Sequence, residues 1–385
     1  MTLQERINAL AELGNRLHNL EENERIATAI RRTTNNNSWF TPDNQRLALS
    51  EISRHFLDKN KLEKWLSNYK ISVYTEGASF EFKIQNSKLN ALDLPSDSSK
   101  LTAVNPEIQA ATPLQTSNVK LQTVGLVLAG NIPLVGFHDI LCVFAAGHRA
   151  RIKLSDKDPF LLPLLLEMLK EIDLRTAEYF DTTTERLTNF DAVIATGSNN
   201  SARYFEAYFG KYPHIIRKNR NAVAILKGRE TVEELRNLGD DIFQYFGLGC
   251  RNVSKLYLPK GYNFTLLLET LHERNEIVMH DKYKNNFDYN FTLLILNKIK
   301  YESNGCILMR EATEIASPIS VVYYEFYDDL DVLIHGLKMK KDEIQLIVSN
   351  AQIADLQTFR FGEAQKPSLS DYADGVDTMQ FLLSL

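Results

Sequence analysis

The sequence predicts an α/β protein with a parallel sheet and a helical N-terminal region. From Thr123 onward, short apolar runs alternate with helix-like segments, as in β-α units that build parallel sheets. Before that point, residues 1 to about 70 place apolar side chains three and four apart, as amphipathic helices do. Turns rich in Gly, Asn and Ser fall where expected strands give way to helices, and open α/β sheets bind their ligands there.

In chain order, Leu3, Ile7, Leu10, Leu13, Leu17 and Leu20 mark a first helix and Leu47, Leu49, Ile52 and Phe56 a later one, with Thr33 to Ser38 as the polar break. Asn86 to Ser117 is rich in Ser, Asn, Asp and Pro and reads as a long loop or extended arm. Strands are expected at Thr123–Ala129, Arg149–Leu154, Ala192–Ala195 and Ala222–Leu226. Helices are expected at Leu134–Ala146, Pro159–Ile172, Ser198–Phe209 and Thr231–Tyr245. A second α/β unit follows, with strands at Val253–Leu258, Phe291–Leu296, Cys306–Met309 and Ser320–Tyr324 and a helix at Phe264–Glu273. The apolar run Met379 to Leu385 is expected to pack back on the body or on a partner subunit.

A chain of 385 residues, 44 % hydrophobic and 24 % charged, can bury sizeable cores. Its net charge of −5 leaves no electrostatic footprint for nucleic acid. Cys142, Cys250 and Cys306 form no disulfide framework and no CxxC pair, so a reducing cytoplasm is expected and no metal. Met1 to Leu20 lacks a basic start followed by an apolar block, and secretion is not expected. Asn131, Pro133, His138 and Asp139 interrupt the most apolar run, Val124 to Ala146, which argues against a membrane span.

Phe246-Gly247-Leu248-Gly249-Cys250-Arg251-Asn252 is the stretch with most chemistry in it. Glycines turn the backbone tightly and leave clearance beside a thiol, as a nucleophile meeting a bulky electrophile requires. A small hydrophobe in the core is the competing reading of Cys250. Gly130-Asn131-Ile132-Pro133 offers an amide ahead of a helix, or merely a turn. Gly197-Ser198-Asn199-Asn200 offers a glycine and hydroxyl at a helix N-terminus, suited to a phosphate or simply to capping. Lys153-Leu154-Ser155-Asp156 ends a strand in a polar turn. His138 and Asp139 read as polar groups satisfied in the core, with a catalytic His138 as the alternative. Cys142 and Cys306 read as structural.

Taken in order, these loops resemble the aldehyde dehydrogenase superfamily, and their details resemble acyl-CoA reductases of the LuxC type. The family's asparagine turn is matched by Gly130-Asn131-Ile132-Pro133 and its Lys-Pro-Ser-Glu turn by Lys153-Leu154-Ser155-Asp156. Its Gly-Ser-Thr-x-x-Gly helix start is matched by Gly197 to Ala202, with alanine at the last glycine. Its Gly-Gln-x-Cys and Glu-x-Phe-Gly-Pro motifs are matched by Gly247-Leu248-Gly249-Cys250 and Glu314-Ile315-Ala316-Ser317-Pro318. The resemblance covers about residues 120 to 365. It implies an aldehyde-dehydrogenase-like α/β fold: a Rossmann-type cofactor domain plus an α/β catalytic domain, with a helical N-terminal region. Domains are expected at 1–115 (helical region and arm), 116–246 (cofactor), 247–348 (thiol) and 349–385 (C-terminal segment).

The resemblance further implies that Cys250 is the catalytic nucleophile and Asn131 its oxyanion partner. It places Lys153, Ser155 and Asp156 near the adenosine ribose, Gly197 and Ser198 near the pyrophosphate, and Glu314 near the nicotinamide ribose. NADPH is expected as cofactor, with NADH possible, and long-chain acyl-CoA or acyl-carrier protein as substrate and partner. A homo-oligomer is an open possibility. One departure bears on the reaction. Aligning the family's Glu-Leu-Gly-Gly-Lys-Asn on Arg220-Asn221 puts Ile216 where aldehyde-oxidising members hold the glutamate that activates water. The implied reaction is reduction of a long-chain acyl thioester to the aldehyde, through an acyl-Cys250 intermediate. Reduction of another activated acyl group, such as an acyl phosphate, or non-redox acyl transfer or carrier binding on the same fold, stand as alternatives.

Overall fold

The computed structural model describes residues 1–20, 23–69, 71, 121–351, 353 and 355–385. The arm expected over Asn86 to Ser117 lies outside the described residues. The chain opens with four helices: α1 Leu3–Arg16, α2 Glu24–Asn36, α3 Pro42–Glu51 and α4 Lys59–Leu66, with a π-helical turn at Ile52–Phe56. Thr2 and Glu5 form a reciprocal capping box at the start of α1, and Asn23, Thr41 and Asp58 cap the next three. Each such cap is worth about 1 kcal/mol. The polar run Thr33 to Asn36 is helical, where a break was expected. The buried Thr33 and the buried Gln45, whose amide donates to the Ile30 and Phe40 carbonyls, hold α2 and α3 together there.

The next 95 or so residues form a doubly wound unit: β1 Thr123–Val127, α5 Phe137–Ala146, β2 Arg149–Lys153, α6 Leu161–Ile172, β3 Phe180–Thr183, β4 Ala192–Thr196, α7 Asn199–Phe209 and β5 His214–Arg217. All five strands are parallel, in the order β3-β2-β1-β4-β5. The strand order reverses between β1 and β4, which opens a crevice beyond their C-terminal ends. Helix α5 starts at Phe137, three residues later than Leu134, because Leu134 takes a left-handed φ of 55° and gives its N–H to the buried Asp158 carboxylate.

Through Lys218-Asn219-Arg220 the chain enters a second sheet. Its elements are β6 Asn221–Ile225, α8 Val232–Phe243, β7 Val253–Pro259, α9 Thr265–His272, α10 Asp281–Leu296, β8 Glu302–Ser303, β9 Leu308–Glu311, β10 Val321–Tyr327, α11 Leu330–Met339, β11 Ile344–Val348 and β12 Thr358–Phe359. The strand order is β12-β11-β6-β7-β10-β9-β8, parallel except for the β8–β9 pair. Two differences from the sequence expectation follow. β6 and α8 belong to this sheet, so the change of unit falls at 218–220 and not at 246. The run Phe291 to Leu296 is the end of α10 and not a strand. Leu293, Ile295 and Leu296 on it are exposed, whereas Phe287 and Leu294 are buried, so helical periodicity overrides a short apolar run that alone cannot tell strand from helix.

The last helix, α12 Thr378–Leu383, returns to pack on α5. One core joins it to α1–α4, α5, α6 and the first sheet, including Leu13, Ile26, Leu62, Val124, Phe144, Ile152 and Leu382. A buried ion pair fixes this junction. Arg217 at the end of β5 donates to both Asp139 oxygens, at 2.5 and 2.9 Å, and to the Thr378 hydroxyl at 3.0 Å. Burial works against the Arg217 charge, and the Asp139 carboxylate more than compensates, raising its pKa. Removing one partner strands the other charge, so Asp139→Ala is expected to lower the free energy of urea unfolding by about 3–5 kcal/mol. A loss under about 1 kcal/mol would show that the pair does not anchor the junction.

Candidate active site

The thiol turn follows α8. Tyr245, Phe246 and Gly247 take left-handed φ of 53°, 60° and 75° in succession, a conformation that costs the two aromatic residues of order 1–3 kcal/mol each and is held by their packing. Tyr245 is buried, and Phe246 lies 4.4 Å from the His280 ring and 5.4 Å from Trp39. Gly247 supplies the tight turn. Gly249 has a different role from the expected clearance at the sulfur: a side chain there would come within 2.9 Å of the Asn252 Oδ1, which accepts the Gly249 N–H at 2.8 Å. Asn252 is buried and its amide donates to the carbonyls of Asp241 and Gln244, at 3.1 and 2.8 Å. The turn is thus wrapped on one asparagine side chain.

Cys250 stands on this turn half-buried, whereas Cys142 and Cys306 are fully enclosed. Burial pushes the Cys250 thiol up; Arg251 and Arg217 pull it down, and Asp374 adds to the rise. The Asn131 side chain reaches the turn from the loop after β1 and donates to the Leu248 carbonyl at 2.8 Å. Its Oδ1 is buried with no partner. Asn131 and the Cys250 turn therefore meet in the crevice between the two sheets, 117 residues apart in the chain.

The other predicted residues lie on strand-end loops. Lys153 ends β2 and its ammonium donates to the Thr184 carbonyl at 2.9 Å. Ser155 sits against the β1 loop: a side chain on Gly130 would fall 2.1 Å from its hydroxyl. Asp156 is exposed. Ser198 caps α7 by accepting the Ser201 N–H at 3.1 Å, and a side chain on Gly197 would strike Phe205 and Ser201 at 2.8 Å. The exposed start of α7 keeps its first N–H groups directed outward at the positive end of the helix, which fits a pyrophosphate at the switch point. Glu314 is exposed on the loop between β9 and β10. That loop is pinned by Ser254 on the Ile315 carbonyl at 2.7 Å and by the buried Lys255 on the Thr313 carbonyl at 3.0 Å, with Lys255 paired to Glu325. His138 is a core residue, its Nε2 on the Leu369 carbonyl at 3.0 Å and its ring against Phe56, Trp65 and Tyr372. Among the described residues no group of three or more His, Cys, Asp or Glu is placed to hold a metal ion, and no helix is long and apolar enough to cross a membrane.

No protein-family model matches the chain, and no curated protein matches it in sequence. Solved structures do match in three dimensions. Aldehyde dehydrogenase 21 from Physcomitrella patens, solved with the product succinate, superposes with a TM-score of 0.64 at 14 % identity, covering 100 % of this chain and 84 % of its own. The fold is that of the aldehyde dehydrogenases. An oxidoreductase from Marinobacter aquaeolei (TM-score 0.63, 10 % identity, 96 % and 79 % coverage) and an indole-3-acetaldehyde dehydrogenase complexed with NAD+ (0.58, 11 %, 90 % and 72 %) agree. At these identities the likeness is one of fold.

Within this aldehyde-dehydrogenase fold, sequence reasoning missed the groups that hold the site from a distance: Asp241, Lys255 and the carboxylate of Asp374. Asp241 is buried on α8 and accepts the N–H groups of Gly362 and Ala364 at 2.7 and 3.0 Å. Burial pushes its carboxyl up to about 7, against the pull of those two bonds. The folded chain thus keeps a proton here that the unfolded chain releases, so the contribution to stability is full below about pH 4 and is lost as pH rises to about 7. Urea unfolding of wild type against Asp241→Asn should favour the wild type more at pH 5 than at pH 8. A difference independent of pH would contradict this account.

Proposed function

We propose that this chain reduces a long-chain fatty acyl thioester, acyl-CoA or acyl-carrier protein, to the aldehyde through an acyl-Cys250 intermediate. The observation that carries the reading is the Asn131–Leu248 hydrogen bond, which brings an amide donor to the turn presenting the half-buried thiol. The Cys250 thiolate attacks the thioester carbonyl, the tetrahedral oxyanion collapses, and the CoA or carrier thiol leaves. One hydrogen of the Asn131 amide is spent on Leu248, and the other is available to the oxyanion. The Cys250 backbone N–H lies beside its own sulfur and is the natural second donor. One such donor is worth about 3–4 kcal/mol in the transition state.

The arrangement favours reduction over hydrolysis because Ile216 on β5, paired with Ala195, offers no base to activate water against the acyl-cysteine. A nicotinamide, when bound, supplies the hydride. The α7 start with Gly197 and Ser198 would hold its pyrophosphate, Lys153, Ser155 and Asp156 its adenosine ribose, and Glu314 its nicotinamide ribose. NADPH is preferred over NADH for a reductive reaction, with Lys153 suited to a 2′-phosphate and Asp156 opposing it. The hemithioacetal on Cys250 then collapses to aldehyde and thiol. A cytoplasmic enzyme, active as a monomer or homo-oligomer, fits this chemistry.

The test is to incubate the protein with long-chain acyl-CoA, follow a thioester adduct by intact mass, then add NADPH and measure its absorbance and aldehyde release. Cys250→Ser should abolish the adduct and the reduction. An unchanged rate in that variant would contradict the mechanism, and an adduct without NADPH oxidation would point to non-redox acyl transfer.

A further inference from the structure

The thiol turn and the Glu314 loop enter neighbouring strands from the same end of the second sheet. Cys250 precedes β7 and Glu314 precedes β10, and the two strands pair in parallel with Lys255 opposite Tyr323. Two successive residues of β7 reach across to the loop. The Ser254 hydroxyl donates to the Ile315 carbonyl at 2.7 Å, and the Lys255 ammonium donates to the Thr313 carbonyl at 3.0 Å. These are the carbonyls on either side of Glu314. Successive side chains of a strand point to opposite faces, so the loop is bracketed from both. The Ile315 side chain is buried beneath it, while Glu314 is exposed.

Lys255 is an expensive way to hold a loop. Its side chain is 0 % exposed, it lies 4.9 Å from the Tyr257 ring centroid, and it pairs at 2.5 Å with Glu325, itself 39 % exposed. Taking an ammonium out of water is costly, and an apolar side chain of similar volume often serves a fold as well as a buried ion pair does. No apolar side chain can bind the Thr313 carbonyl. The exposed Lys340 reaches the same carbonyl at 3.3 Å, so two ammonium groups converge on the peptide that precedes Glu314.

We propose that Ser254 and Lys255 are positioning residues for the reductive half of the reaction: through these two carbonyls they fix the Glu314 carboxylate, which would hold the nicotinamide ribose, relative to the thiol. The inference rests on the roles given above to Cys250 and Glu314. One strand then serves both partners of the reduction, with the thiol on the turn that enters it and the ribose contact on the loop bonded to it. Acylation of Cys250 uses no cofactor and does not depend on this bracket. Cofactor affinity and reduction of the acyl-cysteine do.

The test pairs two measurements on full-length protein: the dissociation constant of NADPH (or NADH), titrated by its fluorescence without acyl substrate, and the single-turnover rate of Cys250 acylation by acyl-CoA, followed by intact mass. In Lys255→Met the free energy of the lost bond is drawn from cofactor binding, so NADPH should bind about 10-fold more weakly. Ser254→Ala, the milder change to the fold, should weaken it about 3-fold. Acylation should stay within a few-fold of wild type in both, while reduction of the acylated protein by saturating NADPH slows by about 10²-fold in Lys255→Met. Because Lys255 acts through Glu314, the same substitution in a Glu314→Gln background should weaken binding by less than about 2-fold more. Wild-type affinity in both single variants, independent effects of Lys255→Met and Glu314→Gln, or a parallel fall in acylation, as a merely structural role would give, would overturn the proposal. A wild type that binds NADPH but accepts no acyl thioester would overturn the substrate reading alone, and the binding measurements would still decide on Ser254 and Lys255. A wild type that binds neither NADPH nor NADH would overturn the reductase reading and this inference together.

Discussion

The site depends on one hydrogen bond between two sheets. Asn131 stands on the loop after β1 of the five-stranded sheet, Leu248 on the turn before β7 of the seven-stranded one, and the amide of the first donates to the carbonyl of the second. Everything else in the crevice sets the ends of that bond. Asp158 takes the Leu134 N–H and shapes the asparagine loop, while Asn252 ties the thiol turn to the end of α8. In the proposed mechanism, the half-buried Cys250 thiol and the Asn131 amide would meet an acyl carbonyl without further rearrangement of backbone. That preorganisation is what electrostatic stabilisation of an oxyanion requires.

The two sheets would have little reason to stay in register through that bond alone. The strap that runs from Gly362 to Leu382 supplies the missing constraint, since it is tied to α8 through Asp241 and to β5 and α5 through the Arg217–Asp139 pair.

Much of this was legible in the sequence where the signal is local. The β-α alternation after Thr123, the cap at Ser198 and the glycine-rich thiol turn are read from neighbouring residues, and the expected strands and helices, Phe291–Leu296 apart, lie within a few residues of observed ones. The elements missed are those whose placement is decided by distant contacts. The run Phe291 to Leu296 has the apolar texture of a strand but lies on a helix capped by His280, ten or more residues upstream. β6 has the texture of the preceding unit but pairs with β7 and β11. Asp374 carries no motif at all: the path of the strap brings its carboxylate to 3.4 Å from Arg220. Gly249 shows the same limit at a finer scale, since its missing side chain makes room for Asn252 and not for substrate, a distinction that spacing does not carry.

The central claim is that Asn131 and Cys250 form one acyl-transfer site. It is tested most directly by the single-turnover acylation rate of Asn131→Ala with long-chain acyl-CoA, read by quench and intact mass, beside iodoacetamide alkylation of the same protein. The account predicts acylation slowed by about 10²–10³-fold, the loss expected for one oxyanion donor, with alkylation, which builds no oxyanion, within a few-fold of wild type. Acylation at the wild-type rate in that variant would contradict it.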